Sequence, residues 1–294
     1  MLFRDLLAKL ARFAPPEPAA SPAAPEAAPG PTAANGARPA TPSADARLAL
    51  TDALWGEGFT EPGGAEAVLA LAKPLGLSAA HSLLLVGAQT GGPPRALAGT
   101  LGAWVSAFED DPARAAVAAR RAAAAGLAKR ATVQPWSPAE PRFPERYFQR
   151  ALALDPMARA APDALLAAIA RALKPAGELV LTAIVAGPAP QPGALAEWMA
   201  AEARRVPPPT ERALGTALET LGHEVRVAKD ITGPHLQAAL RQWHEFVQAL
   251  GPQRPTPERA RLIVREAELW LRRGRLMRAG AIRMMRFHAI GRAG

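Results

Sequence analysis

Two successive apolar runs of the chain are each followed by a feature that could bind a ligand: a glycine-rich turn after the first and an acidic residue after the second. The run 82–86 leads directly into Gly87, and Gly91 and Gly92 open the helix-like segment that follows. Small residues let the backbone approach a ligand closely, and free N–H groups at the start of a helix attract an anion. Glu109 ends the next apolar run, 22 residues after Gly87 (109 − 87). A carboxylate at this place accepts hydrogen bonds from ribose hydroxyls in nucleotide-binding folds, so these residues are predicted to hold a cofactor.

The elements that must position these residues alternate regularly along the chain. Short apolar runs, predicted as strands, occupy 82–86, 104–108, 131–134, 150–154 and 178–185. Helical patterns occupy 65–75, 93–101, 112–126 and 162–173. This alternation indicates a doubly wound, mostly parallel α/β sheet with helices on both faces. Ligands bind such sheets at the carboxyl ends of the strands, where the glycine turn and the acid are expected to meet.

The pattern changes after a Pro-rich stretch, residues 186–209. A helix at 210–221 and a strand at 224–227 are followed by two long helices at 234–250 and 257–276, and a strand-like segment closes the pattern at 281–290. The arginines of the second long helix are predicted to form a solvated face. We assign residues 47–294 to one folded domain.

The first 46 residues differ in character from this domain. Residues 1–13 place Phe3, Leu6, Leu7, Leu10 and Phe13 on one face of a helix. A single helix of this length is not stable alone in water, so we expect it to form against a membrane surface, a protein partner or this chain's own body. Residues 14–46 consist almost entirely of Pro, Ala, Gly, Ser and Thr, which predicts a disordered linker.

The composition argues against several kinds of site. The chain has 294 residues, no cysteine and a formal net charge of +9. Without cysteine there are no disulfides or thiolate metal sites, and the composition is typical of the cytoplasm, with a peripheral membrane location if the helix at 1–13 binds lipid. No histidine has metal-ligand spacing, so no metal is expected. The positive charge is scattered among glutamates, so nucleic acid is not an expected partner.

One further segment carries a family resemblance. Residues 173–185, LKPAGELVLTAIV, read as a helix end, a tight turn and an apolar strand. Together with the glycine turn and Glu109, in that order and spacing, this segment makes the chain resemble the class I S-adenosylmethionine-dependent methyltransferases. The resemblance covers about 55–290, including WGEGFTEPGG before the turn and DITGPHLQAALRQW after the strand at 224–227. It implies the Rossmann-like methyltransferase fold, with an antiparallel last strand.

The resemblance implies S-adenosylmethionine as the cofactor and assigns its contacts. The turn around Gln89 would lie against the methionine part, and Glu109 would hold the ribose. Two residues after the third strand, Trp136 and Ser137, would contact adenine. Two aromatic residues before the first strand would cover the cofactor: Trp55 and Phe59.

The resemblance also implies residues close to the reaction. Asp155, at the end of the fourth strand, would face the methyl-transfer centre. His235 would sit over it, since the substrate-facing helix of the family begins there. Methyl transfer requires mainly orientation and desolvation from the protein. The activity implied is methyl transfer to a small-molecule or lipid-like acceptor.

The chain departs from the family pattern at several polar positions. Leu85 replaces an acid in the first strand, Gln89 replaces the middle glycine, and Gln149 stands where the family often has aspartate. Trp136 or Ser137 replaces the acid near adenine, and Ala176 replaces a glycine of the Lys-Pro-Gly-Gly turn. A glutamine at position 89 fits if its φ is negative and is strained if φ is positive.

These departures favour an alternative function. The chain would then be a catalytically inactive protein of the same fold that serves as a binding or scaffold module, tethered through its N-terminal helix. A nicotinamide-dependent dehydrogenase is a weaker alternative, because the turn lacks the GxGxxG pattern.

Overall fold

The computed structural model describes residues 44–250 and 255–292. The predicted amphipathic helix of residues 1–13 and residues 14–43 of the predicted linker lie outside the described residues, so both remain predictions. The first described helix, α1, is Ala44–Trp55, so the last three residues of the predicted linker are helical.

Within residues 44–250 and 255–292, helices form where the sequence pattern predicted them and at two further places. The added helices are α1 and α6, Pro192–Ala201, which lies inside the Pro-rich stretch. Pro192 stands in the first turn of α6, where the missing N–H of proline costs nothing, and helix-favouring residues follow it. The remaining helices are α2 Gly64–Ala72 (followed by the 3-10 turn Lys73–Leu75), α3 Gly92–Leu101, α4 Pro112–Ala124, α5 Pro162–Ala172, α7 Glu211–Thr220, α8 Thr232–Leu250 and α9 Pro257–Arg278.

The strands agree with the predicted apolar runs, with one marked extension. Strand β5 begins at Leu173, directly after α5, because Leu173 pairs with Phe148 of β4. The LKPAG segment is therefore an irregular start of the strand, with Ala176 at φ 56°. The strands are β1 Ser82–Val86, β2 Trp104–Glu109, β3 Ala131–Pro135, β4 Phe148–Leu154, β5 Leu173–Ala186, β6 His223–Asp230 and β7 Ile282–Gly291.

The strands form one sheet in the order β3-β2-β1-β4-β5-β7-β6. Strands β1 to β5 are parallel, while β7 is antiparallel to both β5 and β6. The predicted doubly wound, mostly parallel sheet with an antiparallel last strand is confirmed. The chain leaves β1 for β2 on one side and returns to β4 on the other, so the order reverses at the carboxyl end of β1.

Both faces of the sheet are buried, which explains the continuous apolar runs. Leu83 and Leu85 of β1 face one core, beneath α1, α2, α3, α8 and α9. Leu84 and Val86 face the other core, beneath α5 and α7. Leu85, which replaces the family's acid, is therefore an ordinary core residue with no exposed surface.

Helices α1, α8 and α9 are joined by packed aromatic rings above the first core. The Trp55 ring lies 4.9 Å from that of Trp270 and 6.3 Å from that of Trp243, centroid to centroid. In the described ranges, none of the helices has the length and apolarity that crossing a bilayer requires.

Candidate functional site

Two neighbouring cavities open at the carboxyl ends of the parallel strands. The first, called the charged cavity, has a volume of about 350 Å³ and is lined by the ends of β1, β2 and β4. The second, called the apolar cavity, has a volume of about 280 Å³ and lies towards β5, β7 and the start of α8. Four residues line both cavities and form their shared wall: Glu61, Gln89, Leu154 and Asp155.

One glycine of the turn lines this site, and the other two serve packing. Gly87 lines the charged cavity at φ 95°, and a side chain there would come within 2.9 Å of the Leu154 carbonyl oxygen. Gly91 and Gly92 line neither cavity. A side chain on Gly91 would strike Ala118 of α4, and the N–H of Gly92 donates to Gly58 O at 2.8 Å. The start of α3 is therefore covered by the segment before α2.

Gln89 adopts the strained backbone that its glycine counterpart would adopt freely. Its φ is 55°, in the left-handed region, and only 8% of its surface is exposed. Its side-chain Oε1 accepts a hydrogen bond of 2.7 Å from the N–H of Thr60. The side chain thus crosses from the β1 turn to the segment between α1 and α2 and closes the shared wall.

Glu109 lies at the end of β2 in the charged cavity, as predicted. Its Oε2 accepts a 2.7 Å hydrogen bond from the N–H of Gln89, and its Oε1 lies 2.6 Å from Nη2 of Arg114. Burial raises the pKa of Glu109 to about 8, against the opposing effect of Arg114 and the Gln89 N–H. Burial also acts on Asp110, but its hydrogen bond with Glu109 and the charges of Arg114 and Arg159 outweigh burial and lower its pKa.

Trp136 and Ser137, the predicted adenine contacts, lie in different surroundings. Trp136 is buried, lines the charged cavity and packs against Phe143 with ring centroids 5.8 Å apart. Its backbone N–H donates to the backbone carbonyl oxygen of Glu109 at 3.1 Å, which joins the ends of β2 and β3. Ser137 is exposed and lines neither cavity.

Asp155 directly follows β4 and belongs to the shared wall; its predicted position facing the methyl-transfer centre stays a prediction. Its backbone is left-handed, with φ 41°. The Ile184 N–H donates to its Oδ1 at 3.0 Å, and Nη1 of Arg204 lies 2.9 Å from its Oδ2. These contacts direct the carboxylate towards the loop after α6, so Asp155 is held by a buried cation.

The two aromatic residues predicted to cover the cofactor are separated. Phe59 lines the apolar cavity. Trp55 lines neither cavity and is 1% exposed, because it belongs to the aromatic packing between α1, α8 and α9.

An ion-pair network covers the charged cavity, and the sequence did not indicate it. Nη1 of Arg273 lies 2.8 Å from Oε2 of Glu61, and its Nε lies 2.7 Å from Oε1 of Glu202. The prediction of a solvated arginine face on α9 is therefore wrong for Arg273, which is 8% exposed. It turns inward because α9 packs over the cavity, and there its guanidinium neutralises two carboxylates from distant segments. Burial raises the pKa of Glu61 to about 7, against the charge of Arg273.

His235 lies at the start of α8 and lines the apolar cavity. Its Nε2 is buried without a hydrogen bond, 3.8 Å from Oε2 of Glu61. Burial lowers the pKa of His235 to about 3, and the nearby charge of Arg273 adds to the shift. The imidazole is therefore neutral at physiological pH and able to accept a hydrogen bond.

No group of three or more His, Asp or Glu side chains in the described ranges is arranged to hold a metal ion. The residues that could hold a cofactor are those of the charged cavity. A recessed acid, a bare glycine backbone and an aromatic wall together suit a molecule with a ribose and a planar base.

Comparisons with known proteins bear on the fold. No protein-family model and no curated protein sequence matches the chain. Among solved structures, one similar protein is the phosphoethanolamine N-methyltransferase 2 of Haemonchus contortus in complex with S-adenosyl-L-methionine. The two share 20% identity and a TM-score of 0.72, and the match covers 83% of this chain and 56% of that one. The chain thus spans little more than half of that enzyme.

Two other similar structures are matched over most of their own length. The cyclase SpnF shares 19% identity at a TM-score of 0.66, with 84% of this chain and 94% of that chain covered. The geranyl diphosphate C-methyltransferase of Streptomyces coelicolor shares 15% identity at a TM-score of 0.58, with 76% and 78% covered. The chain therefore has the Rossmann-like fold of the class I S-adenosylmethionine-dependent methyltransferases, as its glycine turn and LKPAG segment predicted.

Proposed function

We propose that the protein binds S-adenosylmethionine in the charged cavity and transfers its methyl group to a small-molecule acceptor. The observation that carries the proposal is the position of Glu109. It ends β2 inside the cavity, beside Gly87 and the point where strand order reverses. Ligands of open α/β sheets bind at this point, and the acid that follows the second strand holds the ribose.

The residues of the charged cavity fit this cofactor. Gly87 leaves its backbone open to the methionine part, and the Trp136 ring offers an apolar wall for the base. Glu109 offers its carboxylate to the ribose hydroxyls when it is ionised. When bound, the cofactor supplies an activated methyl group on a sulfonium, so no covalent catalysis by the protein is required.

The chain's own residues orient the reactants. Gln89 and Asp155 stand in the wall between the two cavities, where donor and acceptor would meet. The apolar cavity excludes water from the acceptor. His235, neutral and without a hydrogen bond at Nε2, can accept a hydrogen bond from the nucleophilic group of the acceptor and so orient it, and a proton carried by that group is released to solvent.

Similar structures support the same proposed function. The Haemonchus contortus enzyme is a methyltransferase in complex with S-adenosyl-L-methionine, and the Streptomyces coelicolor enzyme is a methyltransferase of geranyl diphosphate. SpnF, which has the same fold, is a cyclase. The fold alone thus does not fix the reaction, and the proposal depends on the cofactor site.

Calorimetric titration of the full chain with S-adenosylmethionine and S-adenosylhomocysteine tests the proposal. We expect micromolar binding that Glu109→Gln weakens at least tenfold at pH 9, about 1.4 kcal/mol. The matched control is Asp111→Asn, which alters the neighbouring acid while keeping a residue able to cap α4. A folded chain that binds neither compound would refute the proposal and favour the inactive binding or scaffold protein. Binding that is equal in both variants would place the cofactor elsewhere.

A further inference from the structure

A row of three polar side chains crosses the floor of the apolar cavity. Arg286 of β7 pairs directly with Thr182 of β5 on one side and with Lys229 of β6 on the other. Directly paired residues of neighbouring strands point to the same face of a sheet. All three line the apolar cavity, so two cations stand next to each other at one end of it.

Arg286 differs from the arginines of the charged cavity because it has no anionic partner. Arg114, Arg204 and Arg273 each contact a carboxylate within 3 Å. No ion pair or hydrogen bond joins the Arg286 side chain to any residue in the described ranges; the residue is half-buried, and its Nε is buried. A partly buried cationic group without a partner is costly, which favours a bound anion there.

The opposite end of the apolar cavity adjoins the proposed cofactor site. Asp155 belongs to the shared wall, at the end of β4, and its N–H donates to Thr182 O at 3.0 Å. Neighbouring strands are about 4.8 Å apart, so Arg286, two strands beyond β4, lies roughly 10 Å from the wall. Between these ends the lining is mainly apolar, with contributions from Phe59, Val68 and Met284.

We infer that the apolar cavity binds a small molecule with an apolar body and one acidic group, with the acid held by Arg286 and Lys229. Lys229 is exposed on the edge strand β6 and marks the entrance, while Arg286 lies deeper. The molecule enters body first, and its far end reaches the shared wall. The acid is fixed away from the cofactor site, so an acceptor must carry its nucleophilic atom at the end that meets the wall. That atom would bond to the methyl carbon as the methyl–sulfur bond breaks, with the sulfur leaving as a thioether and the proton of the nucleophile released to solvent. Only this role as acceptor rests on the proposed function.

Binding of simple amphiphiles to the full chain without any cofactor tests the inference. The probes are decanoate, decyl phosphate, decanol and decylamine, each below its micelle concentration, in calorimetric titrations. We expect decanoate or decyl phosphate to bind at least tenfold more tightly than decanol, and decylamine to bind most weakly. The tighter of the two anions identifies the acidic group as a carboxylate or a phosphate.

Variants locate the binding. Arg286→Gln is expected to weaken the anionic probe at least tenfold and to leave decanol unchanged. Arg226→Gln is the matched control, because Arg226 lies on the neighbouring strand β6 but has a side chain that is 54% exposed and pairs with Glu224. Lys229→Gln, at the exposed entrance, is expected to weaken the anion about threefold and serves if Arg286→Gln does not fold.

If neither decanoate nor decyl phosphate binds more tightly than decanol, the inference is overturned, as it is by an Arg286→Gln protein that binds the anion normally. These results are independent of S-adenosylmethionine. Loss of cofactor binding with retained anion binding would refute the proposed function alone.

Discussion

Replacing Gln89 separates two properties that this residue combines. Its φ of 55° strains the backbone, and its side chain closes the wall between the two cavities through the hydrogen bond to Thr60. Gln89→Ala removes the side chain but keeps the strain. Gln89→Gly removes both. The difference in stability between the two variants therefore measures the strain. The change in cofactor affinity that both variants share measures the effect of the closed wall.

The magnitudes follow from these contacts. Both variants lose one hydrogen bond, which costs about 1 kcal/mol. A non-glycine residue in the left-handed region costs roughly 1 to 2 kcal/mol, and the greater flexibility of unfolded glycine offsets part of the gain. We expect Gln89→Gly to be more stable than Gln89→Ala by about 1 kcal/mol, or roughly 2 to 4 °C in Tm for a domain of this size.

Cofactor affinity should respond to the side chain and not to the strain. Removal of the glutamine side chain joins the two cavities. We therefore expect both variants to bind S-adenosylmethionine about tenfold more tightly than the wild type, roughly 1.4 kcal/mol. Thermal unfolding and calorimetric titration of the three proteins provide the measurements. The reasoning fails if Gln89→Ala is as stable as Gln89→Gly. Weaker cofactor binding by both variants would mean that the glutamine side chain holds the cofactor directly.

Three further predictions concern charged groups of the site. S-adenosylmethionine affinity should rise about tenfold from pH 7 to pH 9, because Glu109, with a pKa of about 8, must be ionised to accept hydrogen bonds from both ribose hydroxyls. Calorimetric titrations of Glu109→Gln over the same range should show no rise in affinity. Arg273→Gln should lower the free energy of unfolding by about 2 to 3 kcal/mol in urea denaturation, because the largely buried Glu202 and the partly exposed Glu61 lose their shared cation. Replacement of the exposed neighbour, in Arg272→Gln, should change it by less than about 0.5 kcal/mol, and equal effects of the two variants would contradict the ion-pair network. The His235 imidazole should remain neutral from pH 8 to pH 5 in an NMR titration, with its signal assigned by its loss in His235→Gln; a midpoint above pH 5 would show that the ring is hydrated.

The part of the site that the sequence could predict is the part that topology fixes. Gly87, Glu109 and Asp155 each follow an apolar run that becomes a parallel strand. Parallel strands bring their carboxyl ends to one edge of the sheet, so the order of elements alone places these residues together. The antiparallel last strand, by contrast, was predicted by the family resemblance and not by the order of elements.

The covering residues could not be predicted because their contacts are remote in sequence. Arg273 meets Glu202 across 71 positions and Glu61 across 212. Nothing local distinguishes Arg273 from the exposed arginines around it, since all occur in one polar-looking helix. Only the packing of α9 over the cavity decides which arginine turns inward.

Gln89 shows a further limit of sequence patterns. The pattern identified the substitution of a glycine and the condition under which it would be strained. The sign of φ depends on Gly87 and Glu109, whose contacts with the turn fix its path: the N–H of Gly87 donates to Phe108 O at 2.8 Å, and Glu109 binds the N–H of Gln89. The turn keeps its glycine-type conformation even though the glycine is absent.

The position of β7 has a consequence for how the chain assembles during synthesis. Strand β7 is inserted between β5 and β6, and β6 pairs with no other strand in the described ranges. Until β7 leaves the ribosome, β5 presents an unpaired apolar edge and β6 has nowhere to dock, which exposes two strands to pairing with other chains. The floor of the apolar cavity, built from these three strands, therefore forms last. Nascent chains stalled before residue 282 should depend on chaperones to remain dispersed.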